Sequence, residues 1–97
     1  MMNPGPMDPD ACVTLSEGVT ATRLGDETVV LDPRAGSYFG LEAVGSRVWA
    51  LLERGTTLNE LARIVADEYD VEHETCRRDI RALLSDLQAA ELITTCP

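Results

Sequence analysis

Hydrophobic and polar positions change their period once along this chain, close to Leu41. Up to that point the pattern suits strands. VTATRL (19–24) and ETVVLD (27–32) are short runs rich in Val and Thr, divided by Gly25 and Asp26. Two such runs around a two-residue turn predict a β-hairpin. DPRAG (32–36) supplies Pro and Gly for a second turn, and GSYFGL (36–41) is the third strand. VTLSE (13–17) fits a further short, irregular strand.

Beyond Leu41 the apolar spacing becomes helical. Val44, Val48, Leu51 and Leu52 fall on one face of EAVGSRVWALLERG, with Trp49 beside them. Gly55 ends that helix, as a residue just past a helix end often does. Thr57 followed by Glu60 reads as a capping box, opening a second helix with Leu58, Leu61, Ile64 and Val65 on one face. That helix runs to about Tyr69, and Asp70 to Glu72 form a break. The third runs from about His73 to Ala90, with Cys76, Ile80, Leu83, Leu84 and Leu87 as its stripe. Leu92 and Ile93 follow as a hydrophobic clasp. The expected class is α+β: a three-stranded antiparallel sheet followed by three helices. Neither layer buries its apolar face alone, so both share one core.

The ends read differently. Residues 1–12 combine Pro4, Pro6, Pro9 and Gly5 with polar neighbours, the signature of a disordered tail. The folded domain is expected over 13–93, with 94–97 as a C-terminal tail. At 97 residues the chain suits one domain, with little room for an enclosed active site beside the core.

Charge narrows the function. The formal net charge is −9, from seventeen acidic residues against eight arginines and no lysine. That balance opposes non-specific nucleic-acid binding and docking to anionic membranes. No apolar run approaches the length of a membrane span, and MMNPGPMDPD is no secretory signal, so a cytoplasmic location is expected. Cys12, Cys76 and Cys96 are scattered and odd in number, which argues against a disulfide framework or a zinc site. Cys76 reads as a buried small apolar residue. The single histidine, His73, lies between Glu72 and Glu74 and suits a solvated helix start. No catalytic arrangement, metal set, GxGxxG or P-loop is visible, so no catalytic residue, metal or cofactor is expected.

In a meander the third strand is an edge. GSYFGL carries no charge and contains Gly36 and Gly40, whereas natural edges are usually blunted by charge or Pro. Glycine in a strand marks the close approach of another backbone; equally, Gly40 leaves room for Trp49 or permits a bend. Alternation puts Ser37, Phe39 and Leu41 on one face and Tyr38 and Gly40 on the other. Phe39 and Leu41 are the core candidates. Tyr38 is either a contact residue or a lid over the sheet. On a wheel centred on Ile80, Cys76, Asp79 and Leu83 lie to one side, and Leu84, Arg77 and Arg81 to the other. Such a wide face is either all core or both core and groove wall.

The run from Val29 to Ile93 resembles the PqqD-type family, the precursor-peptide recognition elements of ribosomal natural-product pathways. The matching features are Phe39–Gly40–Leu41, Gly45, Val48–Trp49, Leu51–Leu52, the Gly55–Thr56–Thr57 turn, LNELARIVADEYDV, and the closing Asp79, Leu83, Leu84, Leu87 and Leu92. Many relatives carry Asn at Glu42 and Gly at Glu91. The Tyr38–Phe39 strand and Val48–Trp49 helix are most similar to the stand-alone recognition proteins of lasso-peptide clusters.

The resemblance implies a winged helix-turn-helix-like fold that binds peptide. A leader segment would add as a strand beside the third strand, with the third helix as the far wall. The residues implied are Ser37, Tyr38, Phe39, Gly40, Leu41, Cys76, Arg77, Asp79, Ile80, Leu83 and Leu87. An apolar pocket is expected from Tyr38 with Cys76, Ile80 and Leu83, and a polar margin from Asp79, Arg77 and Arg81. The implied partners are the precursor-peptide leader, a separate cysteine-protease-like leader peptidase and an ATP-dependent cyclase. The rival readings are a peptide chaperone for a radical enzyme in a quinone-cofactor or other peptide pathway, and a DNA-binding winged helix, for which Arg77, Arg78 and Arg81 are the basic candidates.

Overall fold

A computed structural model describes residues 8–32 and 34–96. Pro4, Gly5, Pro6 and the Pro33 of the second turn lie outside the described residues. The elements are β1 (Val13–Leu15), β2 (Thr20–Leu24), β3 (Glu27–Asp32), β4 (Ser37–Leu41), α1 (Ala43–Leu52), α2 (Leu58–Tyr69), α3 (His73–Ala89) and β5 (Ile93–Thr95). The fold is α+β, with the antiparallel sheet β2-β3-β4 preceding three helices. Gly25 takes φ +64 at the first position of the two-residue β2–β3 turn, a conformation open to glycine at little cost.

Register fixes the two faces of the sheet. Thr28, Val30 and Asp32 are buried and point toward the helices; Val29 and Leu31 alternate outward and are half-buried. Thr28 stands opposite Leu41, and Val30 opposite Phe39. The Thr28 hydroxyl and the Ser46 hydroxyl of α1 hydrogen-bond to each other, so both buried groups are satisfied. Val30, Val48, Leu52, Leu58, Leu61, Leu84 and Leu87 are wholly buried and form the shared core with Trp49.

The helix boundaries follow their caps. Thr57 Oγ1 accepts from the Glu60 amide at 3.1 Å, starting α2 as the sequence indicates. The reciprocal half of the capping box is absent; the Glu60 carboxylate pairs with Arg63 instead. Asp70, at φ 54, stops α2, and Glu72 caps α3 through the Thr75 amide and hydroxyl. Arg47 of α1 makes two hydrogen bonds with Glu68 of α2, at 2.9 and 2.7 Å. Val44 departs from the expected apolar face and is 39% exposed.

The ends depart further from expectation. β1 pairs antiparallel with β5, a second sheet that joins the two extremes of the fold. Ordered structure reaches back before residue 13: the Asn59 amide donates to the Pro9 carbonyl at 3.0 Å, and Asn59 Nδ2 to Asp10 Oδ1 at 2.8 Å. At the other end β5 and Cys96 extend it past residue 93. Cys12 and Cys96 form a disulfide, contrary to the reading from their scattered spacing. Strand pairing brings together cysteines that sequence separation alone keeps apart.

Candidate functional site

β4 is the exposed edge of its sheet: β3 lies on one side, and among the described residues no strand pairs with the other. Its body carries no charge, so its backbone is open to a further strand. Gly40 has open space where a side chain would stand. It therefore does not make room for Trp49.

Alternation divides the strand as the pattern suggests. Ser37, Phe39 and Leu41 face inward, opposite Asp32, Val30 and Thr28. Leu41 is buried in the core, Phe39 is half-buried against it, and Ser37 is exposed. Tyr38 stands opposite Leu31 on the outer face and is 73% exposed. It does not close a pocket with Cys76, Ile80 and Leu83, because those residues belong to the helices packed on the inner face. Cys76 and Ile80 are themselves core residues, 5% and 2% exposed, as is Leu87. Burial raises the Cys76 thiol above its ordinary range, with the Asp79 charge adding to the effect.

What faces the inner side of β4 is the end of α3. A small cavity of about 30 Å³ is bounded by Val30, Asp32, Ser37, Tyr38, Phe39, Ala90 and Leu92. A wider cleft of about 450 Å³ adjoins it, bordered by Asp32, Arg34, Ser37, Ala90 and Glu91. The Arg34 amide donates to Asp32 Oδ1 at 3.0 Å, and Arg34 Nη2 reaches Glu91 Oε1 at 3.3 Å across the cleft. Ala90, the residue that caps α3, is the one that reaches the β4 cavity. At about 100° per residue, Leu83 and Asp79 lie within about 20° of Ala90 and Asp86 within about 40°. Arg77 and Arg81 lie about 140° and 180° away.

Ser37, Tyr38 and Phe39 of the expected set border the small cavity, and Ser37 the wider cleft as well. Leu41, Cys76, Ile80 and Leu87 are core residues. Arg77 and Arg81 border neither of these two cavities, and Arg77 turns to Glu74 at 3.9 Å. Ala90, Leu92, Asp32, Arg34 and Glu91 border the cavities without belonging to the expected set. Asp32 is open to inference from its register with Ser37.

A small α+β domain with an uncharged sheet edge beside a small apolar cavity and a wider, polar-rimmed cleft is the architecture these elements define. The family model for coenzyme PQQ synthesis protein D (PqqD) matches residues 27–93, and the chain belongs to that family. Among solved structures, the chain is similar to TbiB1 in complex with the TbiA(β) leader peptide. Identity is 41%, covering 82% of this chain and 93% of that one, with a TM-score of 0.78. It is also similar to a lasso peptide synthetase B1 complexed with the leader peptide, at 26% identity, covering 84% and 96%, with a TM-score of 0.75. The PqqD truncation of Methylobacterium extorquens PqqCD, a stand-alone recognition element, shares the fold at 22% identity and a TM-score of 0.79, over 96% and 99%. No curated protein sequence matches.

Proposed function

We propose that this protein is an adaptor that captures the leader of a ribosomally made precursor peptide as a fourth strand on β4. It presents that peptide to separate enzymes and performs no chemistry itself. The observation that carries this reading is the uncharged β4 edge lying beside the small cavity at Phe39 and Leu92 and the wider cleft between Ser37 and Ala90. Backbone pairing supplies affinity with little regard to sequence, and alternate leader side chains enter the cleft. The similarity to TbiB1, at 41% identity, supports a lasso-type leader. The partners would be a cysteine-protease-like leader peptidase and an ATP-dependent cyclase, acting where the chain is made. Among the described residues no helix is long and apolar enough to cross a membrane. The family description favours a second reading with the same groove, a peptide chaperone in a quinone-cofactor pathway.

Each leader side chain buried in the cleft should contribute ~1.5–3 kcal/mol. Exposed charges at the margin contribute ~0–1 kcal/mol each. Calorimetry with the TbiA(β) leader peptide tests this division. Leu83→Ala and Gly40→Pro should weaken binding strongly, the latter because proline removes a backbone donor and fixes φ. Arg81→Ala should not matter, since Arg81 faces away from β4. Unchanged affinity in a folded Gly40→Pro variant contradicts the proposal. Binding of duplex DNA in a low-salt gel shift would favour the winged-helix alternative, which the −9 net charge opposes.

A further inference from the structure

Cys12 and Cys96 are 84 positions apart in sequence, yet their Cα atoms lie 5.2 Å apart and their sulfurs are bonded. The Cys96 amide donates to the Cys12 carbonyl at 2.9 Å, so the bridge continues the β1–β5 ladder by one residue pair. Gly55, at φ +81, fits beneath it: a Cβ there would meet Cys96 Sγ at 3.3 Å and Cys12 Sγ at 3.5 Å. The Val13 and Thr56 backbones exchange hydrogen bonds at 2.7 and 3.0 Å, tying the same corner to the α1–α2 turn. The bridge therefore sits in a shaped seat. Both cysteines are half-buried, which leaves the bond open to a small thiol.

The stapled strands also hold the floor of the groove. The Ser16 amide, immediately after β1, donates to the Leu92 carbonyl at 2.9 Å. Leu92 borders the small cavity beside Phe39, and Ile93 begins β5 directly after it. Loosening the β1–β5 pair thus frees the chain segment that positions Leu92.

We propose that Cys12–Cys96 is a reversible redox staple whose state sets the stability of the groove floor, and through it leader capture; the second half rests on the leader-binding reading above. Reduction would come from a dithiol. Its thiolate attacks one sulfur, the Cys12–Cys96 bond breaks, and the departing cysteine thiolate takes a proton. The second thiol of the reductant then resolves the mixed disulfide, leaving two protein thiols and an oxidised reductant, a two-electron exchange. The buried Cys76 takes no part. Closing so long a loop removes much entropy from the unfolded chain, so the oxidised form should be far more heat-stable.

The test compares the full chain oxidised with glutathione disulfide and reduced with dithiothreitol, alongside Cys12→Ser and Cys96→Ser. Native alkylation should label neither bridging cysteine in the oxidised form and both in the reduced form, with Cys76 labelled only after unfolding. Reduction and either substitution should lower Tm by about 10 °C or more. Affinity for the TbiA(β) leader peptide at about 37 °C should fall about threefold or more, as if the reduced groove were competent a third of the time or less. Equal melting temperatures, or free thiols at both positions after oxidation, overturn the staple. Equal leader affinity in the two forms overturns its coupling to the groove. A leader that binds neither form, with the melting shift intact, overturns the leader-binding reading and leaves the staple standing.

Discussion

Phe39 on β4 stands directly opposite Val30 on β3, and Val30 is wholly buried. That pairing turns Phe39 toward the helices and its neighbour Tyr38 toward solvent. Phe39→Ala should therefore lower both stability and leader affinity. Tyr38→Ala should leave stability within about 0.5 kcal/mol, as exposed substitutions do, and weaken binding less than Phe39→Ala. Thermal melting and calorimetry on the two variants check this ordering.

Glu91 takes φ +61, a left-handed conformation that strains any side chain but glycine's. Glu91→Gly should stabilise the domain by ~1 kcal/mol, less whatever its exposed pair with Arg34 contributes. A rise in Tm of about 4–8 °C per kcal/mol is the expected readout for a domain of this size.

Trp49 is 2% exposed, at the centre of the shared core. Trp49→Ala should cost ~3–5 kcal/mol, a large fraction of ordinary domain stability. Its indole Nε1 has no hydrogen-bond partner among the described residues, so Trp49→Phe forfeits no such bond and should cost less. Denaturant titration of the two variants measures the difference.

Acid should destabilise the fold through two helix contacts. Hydrogen bonds from Thr75 hold the Glu72 carboxyl below its ordinary value of 4.5, and those from Arg47 do the same for Glu68. A carboxyl with a lowered folded value contributes stability that is present above the unfolded value. That contribution is lost as pH falls through the folded one. Tm should decline between about pH 5 and about pH 3, and the double variant Glu68→Gln, Glu72→Gln should show a shallower decline. Calorimetric melting across that range decides it.

The change of period at Leu41, the Thr57 cap and the break at Asp70 to Glu72 were legible because each is a local signal. Three features were not. The Cys12–Cys96 bridge depends on β1 meeting β5, a pairing between distant segments that no local pattern encodes. The choice between the two flanks of α3 depends on how that helix rotates against its neighbours. A wheel places Asp79 and Arg81 on opposite flanks without saying which meets β4. The third is how Tyr38 is placed: it borders the small cavity beside Ala90 and Leu92 while its ring is largely exposed. Alternation alone says that Phe39 turns inward and Tyr38 outward, not that both border one cavity.

Amide hydrogen exchange along Ser37–Leu41 tests the central claim most directly. On addition of the TbiA(β) leader peptide, the β4 amides that are not already bonded to β3 should become protected. Because successive amides of a strand point to opposite sides, the new protection should fall on alternate residues. Saturating leader that leaves β4 exchange unchanged, or that protects the β2 edge instead, would contradict strand addition at β4.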